Sequence, residues 1–178
     1  NLLLSSNNII SDNICISEAA NTIYNTGICL QASNNNQLLN NTCIAKDNIN
    51  KRGIDPAMYI SSSYNNTING NICFQSDIGI KLESSDNNII SGNNITINKN
   101  VGIHLFISNY NEISKNNFIN NSRHAFFRKC KSTIWIENYW DDLRSLSLKL
   151  IFGTTGPVLG LIPWVNFDRH PAKEPYDL

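Results

Sequence analysis

Charge is scarce in this chain. Only 16% of its 178 residues are Asp, Glu, Lys or Arg, and the two signs cancel at 14 each. That balance argues against nucleic-acid and membrane-surface binding, both of which rest on a basic excess. No apolar run approaches the roughly 20 residues of a membrane span. Methionine occurs once, and the chain opens on Asn1-Leu2-Leu3-Leu4 rather than on Met. It is therefore read as a fragment or processed form, any signal peptide lying upstream. The five cysteines lack the C-x-x-C spacing of a zinc site, and no H-x-H or M-x-x-M cluster offers a copper site.

Asparagine fills the gap, at about one residue in six. Such a bias can mark disorder, but 41% of the residues are hydrophobic and recur at fixed offsets from the asparagines. From Leu82, the offsets three, six, eight and eleven give Ser85, Asn88, Ile90 and Asn93. From Leu105 they give Ser108, Asn111, Ile113 and Asn116, and from Ile60 they give Ser63, Asn66, Ile68 and Asn71. Leu30 leads to Ser33, Asn36, Leu38 and Asn41, and Leu2 to Ser5, Asn8, Ile10 and Asn13. A degenerate sixth copy starts at Phe127, with Cys130, Thr133, Trp135 and Asn138. The anchors are spaced by 28, 30, 22, 23 and 22 residues, which puts extra loop residues near 19–26 and 47–57.

Apolar residues alternate within each copy, as in Ile80-x-Leu82 and Ile103-x-Leu105. Period two with β-branched side chains is a strand signal. Strands this short persist only when each coil pairs in parallel with the next, about 4.8 Å away, around a shared core. The expected fold is all-β, a right-handed parallel β-helix (solenoid) of about six coils over residues 1–138 with a C-terminal capping tail over 139–178. A leucine-rich horseshoe needs a denser leucine signature and a helical segment, and neither is present. Asn tolerates the left-handed turns that corners require, and stacked amides can bond along the column. Asn13, Asn41, Asn71, Asn93 and Asn116 are expected to form such a ladder.

Cys15, Cys43 and Cys73 each fall two residues after a ladder Asn, where later copies carry Ile95, Phe118 and the Tyr139-Trp140 pair. They read as one inward core column rather than a disulfide framework. Cys29 is expected to face outward beside Leu30, and Cys130 to lie at a corner. Beyond Asn138, the stretch from Leu143 to Phe152 alternates like a strand at Leu146, Leu148 and Leu150, and 153–160 reads as turn-rich. Trp140, Trp164 and Phe167 are expected to cover the open end of the stack.

The signature G-I-x-L-x-x-S-x-x-N-x-I-x-x-N, seen over Gly79–Asn93, resembles that of the NosD-like right-handed β-helix family, whose repeats belong to a carbohydrate-binding and sugar-hydrolase class. Glu137-Asn138-Tyr139-Trp140-Asp141-Asp142 is similar to the way such arrays finish, and the Ile162-Pro163-Trp164 and His170-Pro171 tail to that of surface or secreted members. The resemblance implies an extracellular, cell-surface or periplasmic location and, for some members, copper delivery to a multicopper reductase.

Fold relatives that cleave polysaccharides need clustered carboxylates, whereas the acidic residues here, Glu83, Asp86 and Glu112 among them, are scattered over the exposed side of the coils. Asp141-Asp142 reads as a solvated turn, and Gly53-Ile54-Asp55-Pro56 lacks the following His of the epimerase stretch it resembles. His104 and His124 approach each other at best across adjacent coils. No catalytic residue, metal-ligand set or cofactor is assigned. The best surface is an outward column of Tyr59, Lys81 and His104 with Phe106 and Tyr110 close by, aromatic and hydrogen-bonding groups of the kind that hold sugars. Sequons at Asn40, Asn65, Asn94 and Asn120 agree with a surface location. The expected function is a non-catalytic, extracytoplasmic module that binds a polysaccharide or glycan, or serves as a structural element. The alternatives are a NosD-like role in copper handling and a piece of a polysaccharide lyase or hydrolase whose catalytic coils lie upstream.

Overall fold

A computed structural model of the chain describes residues 1–18, 25–46, 55–143, 147–156 and 162–178. Each copy of the repeat makes one coil of three short strands. The first coil holds β1 (Leu2–Leu3), β2 (Ile9–Ser11) and β3 (Ile14–Ser17), and the second β4 (Ile28–Gln31), β5 (Gln37–Leu39) and β6 (Thr42–Ala45). The third holds β7 (Pro56–Ser61), β8 (Thr67–Asn69) and β9 (Ile72–Phe74), and the fourth β10 (Ile78–Glu83), β11 (Ile89–Ser91) and β12 (Asn94–Thr96). The fifth holds β13 (Val101–Phe106), β14 (Glu112–Ser114) and β15 (Asn117–Ile119), and the sixth β16 (Ala125–Arg128), β17 (Ile134–Ile136) and β18 (Tyr139–Trp140). The antiparallel hairpin of β19 (Lys149–Thr155) and β20 (Ile162–Asp168) follows.

Equivalent strands pair in parallel from coil to coil, forming the three faces of a parallel β-helix. Register repeats the sequence offsets: Leu30, Ile60, Leu82, Leu105 and Phe127 are stacked partners, all fully buried. Leu38, Ile68, Ile90, Ile113 and Trp135 form a second core column. Cys15, Cys43, Cys73, Ile95, Phe118 and Trp140 form the third, with the Phe118 and Trp140 rings stacked at 4.3 Å. The Gly-Ile that precedes the anchors now has a reason. A Cβ on Gly79 would lie 2.5 Å from the Gly102 carbonyl oxygen, and one on Gly102 2.6 Å from that of His124, so at these two places in β10 and β13 a side chain would run into the backbone of the next coil.

The amide ladder runs as expected and goes further. Asn93 Oδ1 accepts the backbone N–H of Asn71 at 2.9 Å and its Nδ2 at 3.0 Å, while Asn93 Nδ2 donates to Ile68 O, Ser91 O and Asn116 Oδ1. Asn116 passes the chain to Asn138 at 3.0 Å. A second ladder links Asn8, Asn36, Asn66, Asn88 and Asn111. The serine column bonds N–H to Oγ along Ser5, Ser33, Ser63, Ser85 and Ser108, and Cys130 continues it by accepting from Ser108 N at 3.4 Å.

Asparagine stands at the ladder for its amide and not, as expected, for a left-handed turn. The left-handed residue is the one before it: Asp12, Asn40, Gly70, Gly92, Lys115 and Glu137 have φ between 53° and 68°. The ladder Asn keeps its side chain inside, where the amide reaches the next coil, and its outward-pointing predecessor takes the strained turn. Six further left-handed positions, Asn7, Asn35, Asn65, Asn87, Tyr110 and Ser132, lie two residues beyond the serine column.

The stack runs through Trp140, because β18 still pairs with β15. The tail then seals it differently from expectation. β19 extends the face of β16 and β20 that of β17, so one hairpin covers two sheet edges. The edge of β18 meets Ala172, and Asn117 exchanges hydrogen bonds with the backbone of Tyr176. Trp164 and Phe167 remain 54% and 42% exposed, so they do not cover the core. Trp140 and Ile151, at 1% and 2%, belong to the core itself. Residues 153–155 finish a strand instead of opening a turn, and that strand begins at Lys149, with Leu143 packed apart against the core. Leu146, residues 157–160 and most of the two extra loops lie outside the described residues. Among the described residues no helix is long and apolar enough to cross a membrane.

Candidate functional site

Strand alternation turns the residue before each anchor outward, and register stacks these residues. Cys29, Tyr59, Lys81, His104 and Phe126 are consecutive partners on the face of β4, β7, β10, β13 and β16. The parallel column two residues on carries Ser61, Glu83, Phe106 and Arg128. Tyr59, Lys81 and His104 therefore adjoin, as the sequence reading had them, and Phe106 follows His104 two residues on along β13. Tyr110 does not join them. It sits past the Ser108 corner, 61% exposed, and lies outside the groove.

The groove, of about 240 Å³, is lined by Lys81, Glu83, His104, Phe106, Phe126 and Arg128. Glu83 Oε2 accepts the Tyr59 hydroxyl at 2.8 Å and the Lys81 ammonium at 2.9 Å. Burial pulls the Glu83 carboxyl upward, but these bonds outweigh it and hold it below the usual range. Burial and the bond to Glu83 raise Tyr59 to about 12. Burial, reinforced by the Lys81 charge, pushes His104 down to about 4, so its ring is neutral. The Phe126 ring lies 5.5 Å from the His104 ring, with the Arg123 guanidinium 5.0 Å over it, and Arg128 sits 5.7 Å from the Phe106 ring. Sequence reading missed Phe126, Arg128 and Arg123. The first two flank anchor Phe127 and could have been read from the register, while Arg123 lies on a turn that the repeat does not specify.

A larger pocket of about 650 Å³ opens where the hairpin meets the sixth coil, bounded by Arg123, Phe126, Asp141, Lys149 and Phe152 among others. Phe126 lines both spaces. At its base His124 Nε2 lies 2.7 Å from Asp141 Oδ1 and 3.4 Å from Asp142 Oδ1, and Lys149 Nζ lies 2.5 Å from both Asp142 oxygens. Burial lowers the His124 pKa, and the two aspartates oppose that shift without reversing it. The Asp141-Asp142 pair is an exposed turn, as the sequence reading had it, and is tied as well into an ion-pair network. No spacing signal pointed to it, because the partners come from the repeat and the tail. His104 and His124 are not a pair, since register sets His104 beside Phe126 while His124 bonds Asp141.

A family model described as "Periplasmic copper-binding protein (NosD)" matches residues 1–145. The chain belongs to the NosD family. This NosD-family chain is an extracytoplasmic β-helix module. A crystal structure of a mutant of the periplasmic alginate epimerase AlgG is similar in fold, with a TM-score of 0.64, 23% identity, and a match over 76% of this chain and 31% of that one. The chain thus spans about a third of the epimerase's length. No curated protein matches.

Copper, named in the family description, meets one cluster of three donors among the described residues: His124, Asp141 and Asp142. The arrangement does not fit it. Asn121 Oδ1 accepts from Asn98, and its Nδ2 donates to Ile95 O, so the amide's orientation is set. It presents N–H to His124 Nδ1 at 3.4 Å, which leaves the ring proton on Nε2, aimed at Asp141. A metal on Nε2 requires that proton on Nδ1, against the Asn121 N–H. The Lys149 ammonium also holds the Asp142 carboxylate. The cysteine column forms no second such cluster among the described residues.

Proposed function

We propose that this NosD-family module binds carbohydrate along the outward face of β7, β10, β13 and β16, and holds it without transforming it. The observation that carries the reading is the groove over Lys81, His104, Phe106, Phe126 and Arg128. It pairs two aromatic rings with charged hydrogen-bonding groups, the combination that sugars use through their apolar faces and hydroxyls. The binding-only reading is supported by Glu83, the one carboxylate lining the groove among the described residues, which is occupied by Tyr59 and Lys81.

The alginate epimerase of similar fold is named for action on a polysaccharide, so polysaccharides are the first probes to try. Affinity electrophoresis through gels containing soluble polysaccharides, together with a glycan array, tests the proposal. The protein is expected to be retarded by at least one polysaccharide, and the Phe106→Ala/Phe126→Ala double variant, melting like the parent, is expected to run free. Silence across both panels overturns the proposal.

A further inference from the structure

The C-terminal hairpin is apolar where it has no coil to pack against. From Leu150 to Phe167 the sequence carries no charged residue and a single asparagine, Asn166. Charge returns at the base, where Lys149 and Asp168 are register partners, and both are engaged: Lys149 holds Asp142, and Asp168 is buried. Strand alternation sorts the other described residues of the hairpin onto two faces. Leu150 pairs with Phe167, Phe152 with Val165 and Thr154 with Pro163, so these share the outer face. Ile151, Gly153, Ile162 and Trp164 belong to the inner one.

Only part of the inner face meets the stack. Ile151 enters the core, and a Cβ on Gly153 would meet the Phe127 ring. β19 follows the sixth coil as far as Thr154, whose carbonyl oxygen accepts the Lys129 N–H at 2.8 Å. The coil turns at Lys129, φ 54°, while β19 runs on to Thr155, which pairs with Ile162 across the hairpin. Ile162 and Trp164 are therefore 56% and 54% exposed on one face, and Phe152 is 61% exposed on the other.

Exposed apolar side chains on both faces of one hairpin narrow the occupant. A second copy or a globular partner covers one face and leaves the other in water. A bilayer surface takes both, because lipid surrounds what enters it. The two strands satisfy each other's backbone groups, as lipid requires. Tryptophan is the side chain that favours the boundary between membrane and water, and Trp164 stands exposed here. Strands of seven residues are too short to cross a bilayer, so the hairpin enters one leaflet. The charge balance of the chain argues against attraction by a basic excess, and insertion of apolar side chains needs none.

We infer that the hairpin of β19 and β20 anchors this extracytoplasmic module to a lipid surface by inserting Phe152, Ile162 and Trp164 into the bilayer. The anchor is independent of carbohydrate binding in the groove.

Flotation of the full chain with phosphatidylcholine vesicles, at low and high salt, tests it. The protein should float with these uncharged vesicles, and salt should not release it. Bromine-labelled lipid should quench the exposed Trp164, and Trp164→Ser should abolish that quenching, because Trp135 and Trp140 are buried. Combining Trp164→Ser with Phe152→Ser should cut partitioning at least about tenfold. Ile89→Ser changes an exposed apolar residue of the fourth coil and should leave partitioning as it is. Absence of flotation overturns the anchor. Binding confined to vesicles containing phosphatidylglycerol, and lost at high salt, overturns apolar insertion. Unchanged partitioning of the double variant, melting like the parent, overturns the placement on the hairpin. A lipid-free dimer in sedimentation that the double variant dissolves assigns the patch to a second copy and overturns the lipid reading. Where the double variant unfolds, the parent still decides, because fluorescence that brominated lipid leaves unquenched overturns insertion.

Discussion

Asp168 Oδ2 lies 3.1 Å from Asn138 Nδ2, so a carboxylate from the hairpin takes the place of the next ladder asparagine. The same oxygen accepts from Asn138 N and from Trp140 Nε1, and Oδ1 accepts from the N–H groups of Glu137 and His170. Asp168 is fully buried. The tail is therefore joined to the stack by the stack's own hydrogen-bond pattern. Asp168→Ala leaves several buried donors without acceptors and should destabilise the protein by about 3 kcal/mol or more. Asp168→Asn, which keeps one carbonyl oxygen, should lose less. Urea unfolding monitored by tryptophan fluorescence gives the order, and an alanine variant as stable as the parent would show that the ladder does not hold the hairpin.

Tyr110 occupies a left-handed position, φ 55°, where the equivalent residues of earlier coils are Asn7, Asn35, Asn65 and Asn87. A bulky side chain is disfavoured there by roughly 1 kcal/mol relative to asparagine. Tyr110→Asn should raise the melting temperature slightly. Because Tyr110 lies outside the groove, the same variant should bind polysaccharide like the parent. A loss of binding returns Tyr110 to the site.

Both His104 and His124 have folded-state pKa values below the ordinary 6.5. The unfolded chain therefore takes up protons first as pH falls, and folding stability drops. For His104 the loss starts near pH 6.5 and is complete near 4, where the folded ring also protonates. Lys81, Arg128 and Arg123 disfavour the charged ring, and Glu83 opposes them. Melting temperature should fall between pH 7 and 4.5, with His104→Gln flattening the profile. A variant that keeps the full slope would assign the effect to other groups.

Cys43 and Cys73 are fully buried, and burial raises both thiols. All five cysteines are free thiols. Titration of denatured, unreduced protein should count five thiols, and the native protein should protect Cys43 and Cys73 from alkylation at neutral pH. Fewer than five thiols, mapped to Cys15, Cys43 or Cys73, would contradict the core column.

The coils and their register were legible because a solenoid repeats one environment. A residue at a given offset meets its own counterpart above and below, so Leu82, Ser85, Asn88, Ile90 and Asn93 announce columns that the structure reproduces. The same rule placed Cys15, Cys43 and Cys73 inside and set Lys81 beside His104. It also held the information for Phe126 and Arg128, which needed only a reading outward from Phe127.

By itself, then, the sequence determined everything that periodicity can carry: parallel coils, inward columns, an amide ladder and the outward row of Tyr59, Lys81 and His104. Tertiary structure alone decided what the repeat does not encode. The non-repeating hairpin folds back so that Asp168 ends the ladder, and Lys149 meets Asp142 beside His124. The amide of Asn121, fixed by Asn98 and Ile95, then sets the tautomer of His124. These contacts join segments that share no period, and their geometry follows from the packing of the hairpin against the last coil.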